Sequence, residues 1–174
     1  MVSCFLLQFA FLFVLAAGCG ESAGQNSGNS GRWEKIEKMY ERYKQKSFPN
    51  TPDVKVEELP QIQKKQKVIL VDVRTKKEEK VSTIPGAISK EEFEKNFDKY
   101  KNDLIVPYCT IGYRSGLYTK ELLKKGLRAR NLMGGVLAWA FAGKKFASPS
   151  GDSTRVHVYG KKWNLLPENY KGVY

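Results

Sequence analysis

The sequence predicts an α/β domain of three layers, a parallel sheet between helices, and three observations lead there. Val68-Ile69-Leu70-Val71-Asp72-Val73 is an apolar, β-branched run without alternation, as in a strand buried on both faces of a parallel sheet. Stretches of helical period separate it from further short apolar runs, as crossovers between parallel strands require. A chain of 174 residues, 41% hydrophobic and 12% aromatic, is enough for one core and needs no second domain.

The elements follow in chain order. The first twenty residues carry no charge, and Phe5 to Ala17 is apolar apart from Gln8. That stretch is shorter than the roughly twenty residues a bilayer core needs. It leads into Ala16-Ala17-Gly18-Cys19-Gly20, so residues 1–18 read as a signal peptide and the protein as exported. Cleavage after Gly18 would leave Cys19 at the new amino terminus, a candidate lipidation site for membrane anchoring. The alternatives are free secretion, into a periplasm or the medium, and an uncleaved anchor. Ala16 stands where a lipobox usually has Leu, and Met-Val-Ser lacks a Lys or Arg. Residues 19–31 read as a flexible tether, because Glu21 to Gly31 is mostly Gly, Ser, Asn and Gln.

Trp33, Ile36, Tyr40 and Tyr43 recur at helical spacing, which predicts an amphipathic helix over 32–46. Its aromatic stripe would dock an N-terminal extension, 32–53, onto the core. The domain proper is expected over 54–146. Val54-Lys55-Val56 leads in, a helical stretch covers about 57–63, and the run 68–73 forms a strand with Asp72 and Arg74 at its carboxyl end. Gly86 to Ser89 predicts a short strand, Phe93, Phe97 and Tyr100 one face of a helix over 90–101, and Leu104-Ile105-Val106 another strand. A helix follows from Arg114, with Leu117, Tyr118, Leu122 and Leu123 apolar and Gly126 as its stop. Ala129 to Leu132 reads as a strand, and Gly134-Gly135 turns into a helix over 136–142. The C-terminal extension, 147–174, carries a strand-like Arg155 to Tyr159 and apolar Trp163, Leu165, Leu166, Tyr170 and Tyr174. These predict a segment packed back on the domain.

The net charge of +12 attracts anions of every kind. Lys76, Lys77 and Lys80 alternate with Glu78 and Glu79, which reads as a solvated face. No aromatic-interleaved basic stretch accompanies the charge, so nucleic acid is not an expected partner. No metal site is indicated and no cofactor is implied. His157, the single histidine, reads as a packing residue of the tail rather than a base.

Cys4 falls in the leader and Cys19 at its end, leaving Cys109 as the one thiol of the folded region. A disulfide framework is excluded there, and a lone cysteine is either buried filler or a nucleophile. Its neighbours decide. In Tyr108-Cys109-Thr110-Ile111-Gly112-Tyr113-Arg114-Ser115-Gly116 a strand runs into Cys109, Gly112 allows a tight turn, and a helix begins near Arg114. The sulfur is then expected within a ring of backbone amides at a helix N-terminus, open to solvent. The positive helix end and Arg114 favour thiolate over thiol. The amides of Thr110, Ile111, Gly112, Tyr113 and Arg114 could hold the anionic part of a substrate.

Cys109 to Ser115, with Asp72-Val73-Arg74, Ile84-Pro85-Gly86-Ala87 and Gly134-Gly135-Val136-Leu137-Ala138-Trp139, resembles the rhodanese family, the four blocks standing in that family's order. The resemblance implies a rhodanese-like domain with a five-stranded parallel sheet flanked by helices. It also implies sulfane-sulfur transfer through a Cys109 persulfide, from a small anionic donor such as thiosulfate to a thiol or cyanide acceptor. Four residues separate Cys109 from Arg114, as in rhodanese sulfurtransferases, whereas the related phosphatases place one more there to enclose a phosphate. Asp72 and Arg74 would support the loop by charged hydrogen bonds. The alternative is a non-catalytic or redox-sensing rhodanese-like binding module.

Three departures bear on this expectation. Thr83 stands where many family members have His. Pro107 lies in a strand expected to be central and predicts a bulge near the loop. The loop carries one cationic side chain, so thiosulfate is expected to be a poor donor.

Overall fold

The computed structural model describes residues 23–174. The leader 1–18 and Cys19 lie outside the described residues.

Helix α1 (Ala23–Ser47) opens the chain and buries Ile36 and Tyr40, with Trp33, Met39 and Tyr43 packed beside them. It extends over residues 23–31, read above as part of a flexible tether. The physical reason is cooperativity: once the amphipathic stretch is docked, adding a turn in front of it needs no new nucleus, even for Gly and Ser. Arg32 ties this end of the helix to the tail through Leu166 O at 3.2 Å and Glu168 at 3.5 Å.

Strand β1 (Asp53–Val54) leads through a 3-10 turn to α2 (Leu59–Lys65), which has Pro60 in its first turn, where a missing N–H is harmless. Strand β2 (Val68–Asp72) follows, then the single turn α3 (Lys76–Glu79) and β3 (Ile88–Ser89). The helix expected over 90–101 is two pieces, α4 (Lys90–Lys95) and α5 (Phe97–Tyr100). Asn96 breaks it, with a non-helical backbone at φ −114° and its side chain bonded back to Glu92 O at 2.9 Å. Next come β4 (Leu104–Tyr108), α6 (Tyr113–Lys124), β5 (Asn131–Leu132) and α7 (Gly135–Phe141). The tail adds a hairpin, β6 (Phe146–Ser148) with β7 (Gly151–Ser153), and a parallel pair, β8 (Arg155–His157) with β9 (Lys171–Val173).

The expected layers are present. Along β2 and β4 the side chains alternate between two cores: Leu70, Leu104 and Val106 face one, Val71 and Ile105 the other. Ile36 of α1, Leu59 of α2 and Leu137 of α7 cover the first. Phe93, Tyr100, Tyr118 and Leu122, from α4 to α6, cover the second. The sheet is less regular than the continuous five strands expected. Strands β3-β2-β4 form one parallel sheet and β1-β5 a separate parallel pair, joined by a single bridge between Ile105 and Ala129.

Pro107 explains the gap. Ile105 N–H donates to Arg128 O and Ile105 O accepts from Arg130 N–H, so the backbone polar groups of odd-numbered residues of β4 face β5. The next donor on that side is Pro107, which has no N–H to give. On the other side β4 stays in register with β2 from Leu104 to Tyr108, so the expected bulge is absent from that ladder. The proline thins one ladder instead of bending the strand.

Candidate active site

Strand β4 delivers Cys109 at its carboxyl end, and α6 begins four residues later at Tyr113. Gly112 makes this turn possible: its φ of +98° is one that a side chain rarely adopts, and a Cβ there would lie 2.7 Å from the Tyr40 ring. Gly112 N–H donates to Cys109 Sγ at 3.2 Å. The loop carbonyls turn away from the sulfur. Cys109 O accepts from Val136 N–H at 2.9 Å and Thr110 O from Leu137 N–H at 3.3 Å, so the free amides at the start of α7 hold the loop from behind. Only glycine fits at 135, because a Cβ there would stand 2.1 Å from Cys109 O. Asn131 Nδ2 completes the support, donating to Gly112 O at 3.0 Å and Tyr40 Oη at 2.9 Å.

Asp72 and Arg74 sit one layer below. Arg74 Nη2 donates to Asp72 Oδ2 at 2.7 Å and to Ser82 O at 2.6 Å, while Tyr108 Oη donates to Asp72 Oδ2 at 2.8 Å. Tyr108 Oη in turn accepts from Ile84 N–H at 3.1 Å. The pair was expected to hold the loop by charged hydrogen bonds. Those bonds end instead on Tyr108, the residue before Cys109, and on the 82–84 turn. Arg74 also lies over the Tyr108 ring, 5.6 Å from its centre.

Arg114 points back from the first turn of α6 to a partner that sequence reasoning missed. Its Nη1 and Nη2 donate to the two carboxylate oxygens of Glu78 at 2.8 and 2.7 Å, and Nη2 reaches Thr110 Oγ1 at 3.5 Å. Glu78, read above as part of a solvated face, is buried. Burial alone would raise its carboxyl, but the hydrogen bonds from Arg114 and from Thr75 outweigh that and hold it at about 2. The signal was local: Thr75-Lys76-Lys77-Glu78 has capping-box spacing, and Thr75 N–H donates to Glu78 Oε2 at 2.9 Å.

Above the loop lies a cavity of about 370 Å³ lined by Cys109, Thr110, Ile111 and Arg114 below and by Tyr43, Tyr113, Tyr159 and Trp163 around them. The rings lean on each other, Tyr43 to Tyr113 at 5.0 Å and Tyr43 to Trp163 at 6.0 Å between centres. Tyr159 stands over Arg114 at 5.3 Å and is 62% exposed. Its φ of +67° is costly for a bulky side chain, and its N–H is held by His157 Nδ1 at 3.1 Å. Cys109 is only 1% exposed, which corrects the expectation of an open thiol. Three of the covering rings come from α1 and the tail, so a reading of the loop alone could include only Tyr113.

A family model described as rhodanese-like domain matches residues 55–142. A protein named sulfurtransferase from Allochromatium vinosum is 35% identical over 94 residues, covering 48% of this chain and 82% of that protein. Among solved structures, a rhodanese-like domain protein from Staphylococcus aureus is 30% identical, covers 51% of this chain and 91% of its own, and has a TM-score of 0.45. The thiosulfate sulfurtransferase from Pseudomonas aeruginosa is 22% identical, covers 71% and 23%, and has a TM-score of 0.49.

Proposed function

The chain belongs to the rhodanese-like family, and from that premise we propose that it is a sulfurtransferase carrying a sulfane sulfur as a persulfide on Cys109. The observation that carries this reading is the position of Sγ. It lies on a cavity floor at the start of a twelve-residue helix, 3.2 Å from the Gly112 N–H. A thiolate there is stabilised by the helix end and the amide, and so is the persulfide that replaces it.

The cycle has two steps. Cys109 thiolate attacks the outer sulfur of a donor; with thiosulfate the S–S bond breaks and sulfite leaves with the electron pair. A thiol or cyanide acceptor then attacks the terminal sulfur of the persulfide, and the Cys109 thiolate returns. Arg114 fixes the loop through Glu78, and the Gly112 N–H faces the charge that moves between the two sulfurs. Intact mass after treatment with thiosulfate tests the proposal. The native chain should gain the mass of one sulfur atom and Cys109→Ser should gain nothing.

The burial of Cys109 favours a second reading, a binding or redox-sensing module. It predicts no sulfur gain from any donor, together with reversible oxidation of the same thiol. Export is part of the proposal as well, with Cys19 as the site of a lipid anchor or, failing that, free secretion. Labelled fatty acid should enter the native chain and not Cys19→Ser if the anchor exists.

A further inference from the structure

Resting on the persulfide reading, we propose that the cavity over Cys109 selects organic sulfur donors, a single negative charge borne on an aromatic or bulky apolar group, over small inorganic dianions. Two observations carry this beyond the loop. The first is the wall, four aromatic rings from three separate parts of the chain: Tyr43, Tyr113, Tyr159 and Trp163. Such a surface gains from covering an apolar group and offers little to a hydrated dianion.

The second is the state of Arg114, the one cation among the described residues that lines the cavity. Both terminal nitrogens of Arg114 donate to Glu78, a buried carboxylate that stays ionised, so the pair presents no net charge. Tyr159 covers the guanidinium from the other side, its strained backbone held by His157. Swinging Arg114 toward a dianion would strand a buried charge on Glu78. A doubly charged donor approaching the Cys109 thiolate therefore meets like charge, with backbone amides and an Arg114 already neutralised by Glu78 to offset it. The net charge of +12 favours the dianion at long range, so discrimination has to arise within the cavity.

An arenethiosulfonate represents the class. Cys109 Sγ bonds to its outer sulfur as the bond from that sulfur to the sulfonyl sulfur breaks. The sulfinate leaves with the electron pair, the persulfide keeps one negative charge, and no external oxidant or reductant takes part.

The test compares benzenethiosulfonate, methanethiosulfonate and thiosulfate on the full chain, following persulfide formation by intact mass in single turnover. Each rate is divided by that of the same donor with free cysteine, which removes intrinsic reactivity. The aromatic donor should exceed its methyl analogue by about tenfold or more, the effect of moving a ring from water onto apolar walls, and thiosulfate should be slowest. Tyr159→Ala and Trp163→Ala should narrow the aromatic advantage to within about threefold. Thiosulfate matching the aromatic donor, or an advantage that persists in both variants, overturns the proposal. If a variant misfolds, the ranking of donors on the native chain still decides. Should no donor add sulfur while iodoacetamide still alkylates Cys109, sulfur transfer itself is wrong, a result distinct from a wrong donor preference.

Discussion

Below Cys109 the chain is held by hydrogen bonds, and above it by rings. The floor closes a network in which Asp72, Arg74 and Tyr108 fix the strand end, α7 amides hold the loop carbonyls, and Glu78 fixes Arg114. The roof is made of Tyr43, Tyr113, Tyr159 and Trp163, and one of its members sits in a strained backbone with most of its ring in water. Directional bonds set where one atom goes, which chemistry needs. Ring contacts set shape and affinity, and they tolerate adjustment. The two regions should therefore fail differently.

The largest expected effect is on the floor. Gly135→Ala puts a Cβ 2.1 Å from Cys109 O at a φ of +52°, and should destabilise the protein by more than about 3 kcal/mol. Gly143→Ala, also at positive φ but with open space around it, should lose only about 1 kcal/mol. Denaturant titration of both measures how much of the loss is the collision with the loop.

Glu78→Gln comes next. It leaves Arg114 facing a neutral amide and should lose about 3 kcal/mol. If the floor governs charge in the cavity, the same variant should shift donor preference toward thiosulfate, read as a ratio of persulfide rates. An unchanged ratio would separate Glu78 from the site.

Acid should loosen the roof before the floor. The His157 proton is disfavoured first by burial and further by Lys77, Arg74 and Arg114, with Glu78 opposing them. Its pKa is lowered from 6.5, so the stability it contributes is present above that value and is lost as pH falls through the lower folded value. Protonation also removes the acceptor for Tyr159 N–H. Glu78, held at about 2 from 4.5, contributes stability above pH 4.5 that disappears only as pH falls toward 2. Limited proteolysis at stepped pH should cut the tail before the domain, and simultaneous cleavage would sink the distinction.

The smallest effect belongs to Tyr159→Gly. Relief of the left-handed strain and loss of the Arg114 contact each amount to about 1 kcal/mol and oppose one another. Thermal unfolding should move little, even though donor selectivity changes.

Much of the floor was legible in the sequence because it is local. The run 68–73, the spacing from Cys109 to Arg114 and the pair Gly134-Gly135 each declare their role within a few residues. Glu78 was hidden by its lysine neighbours, although Thr75 three positions earlier signals a cap. Pro107 was visible, but which ladder it would interrupt depends on strand order, a property of the folded sheet. The roof was the least legible. Tyr43 and Trp163 read as docking residues, and nothing local says that what they dock beside is a sulfur atom.

Three of the four rings over Cys109, Tyr43, Tyr159 and Trp163, fall outside residues 55–142, the stretch matched by the family model. Two relatives with the same loop can thus differ in what covers it by exchanging their ends alone. Evolution can retune such a protein at its margins, where a change leaves the inherited frame beneath the sulfur untouched.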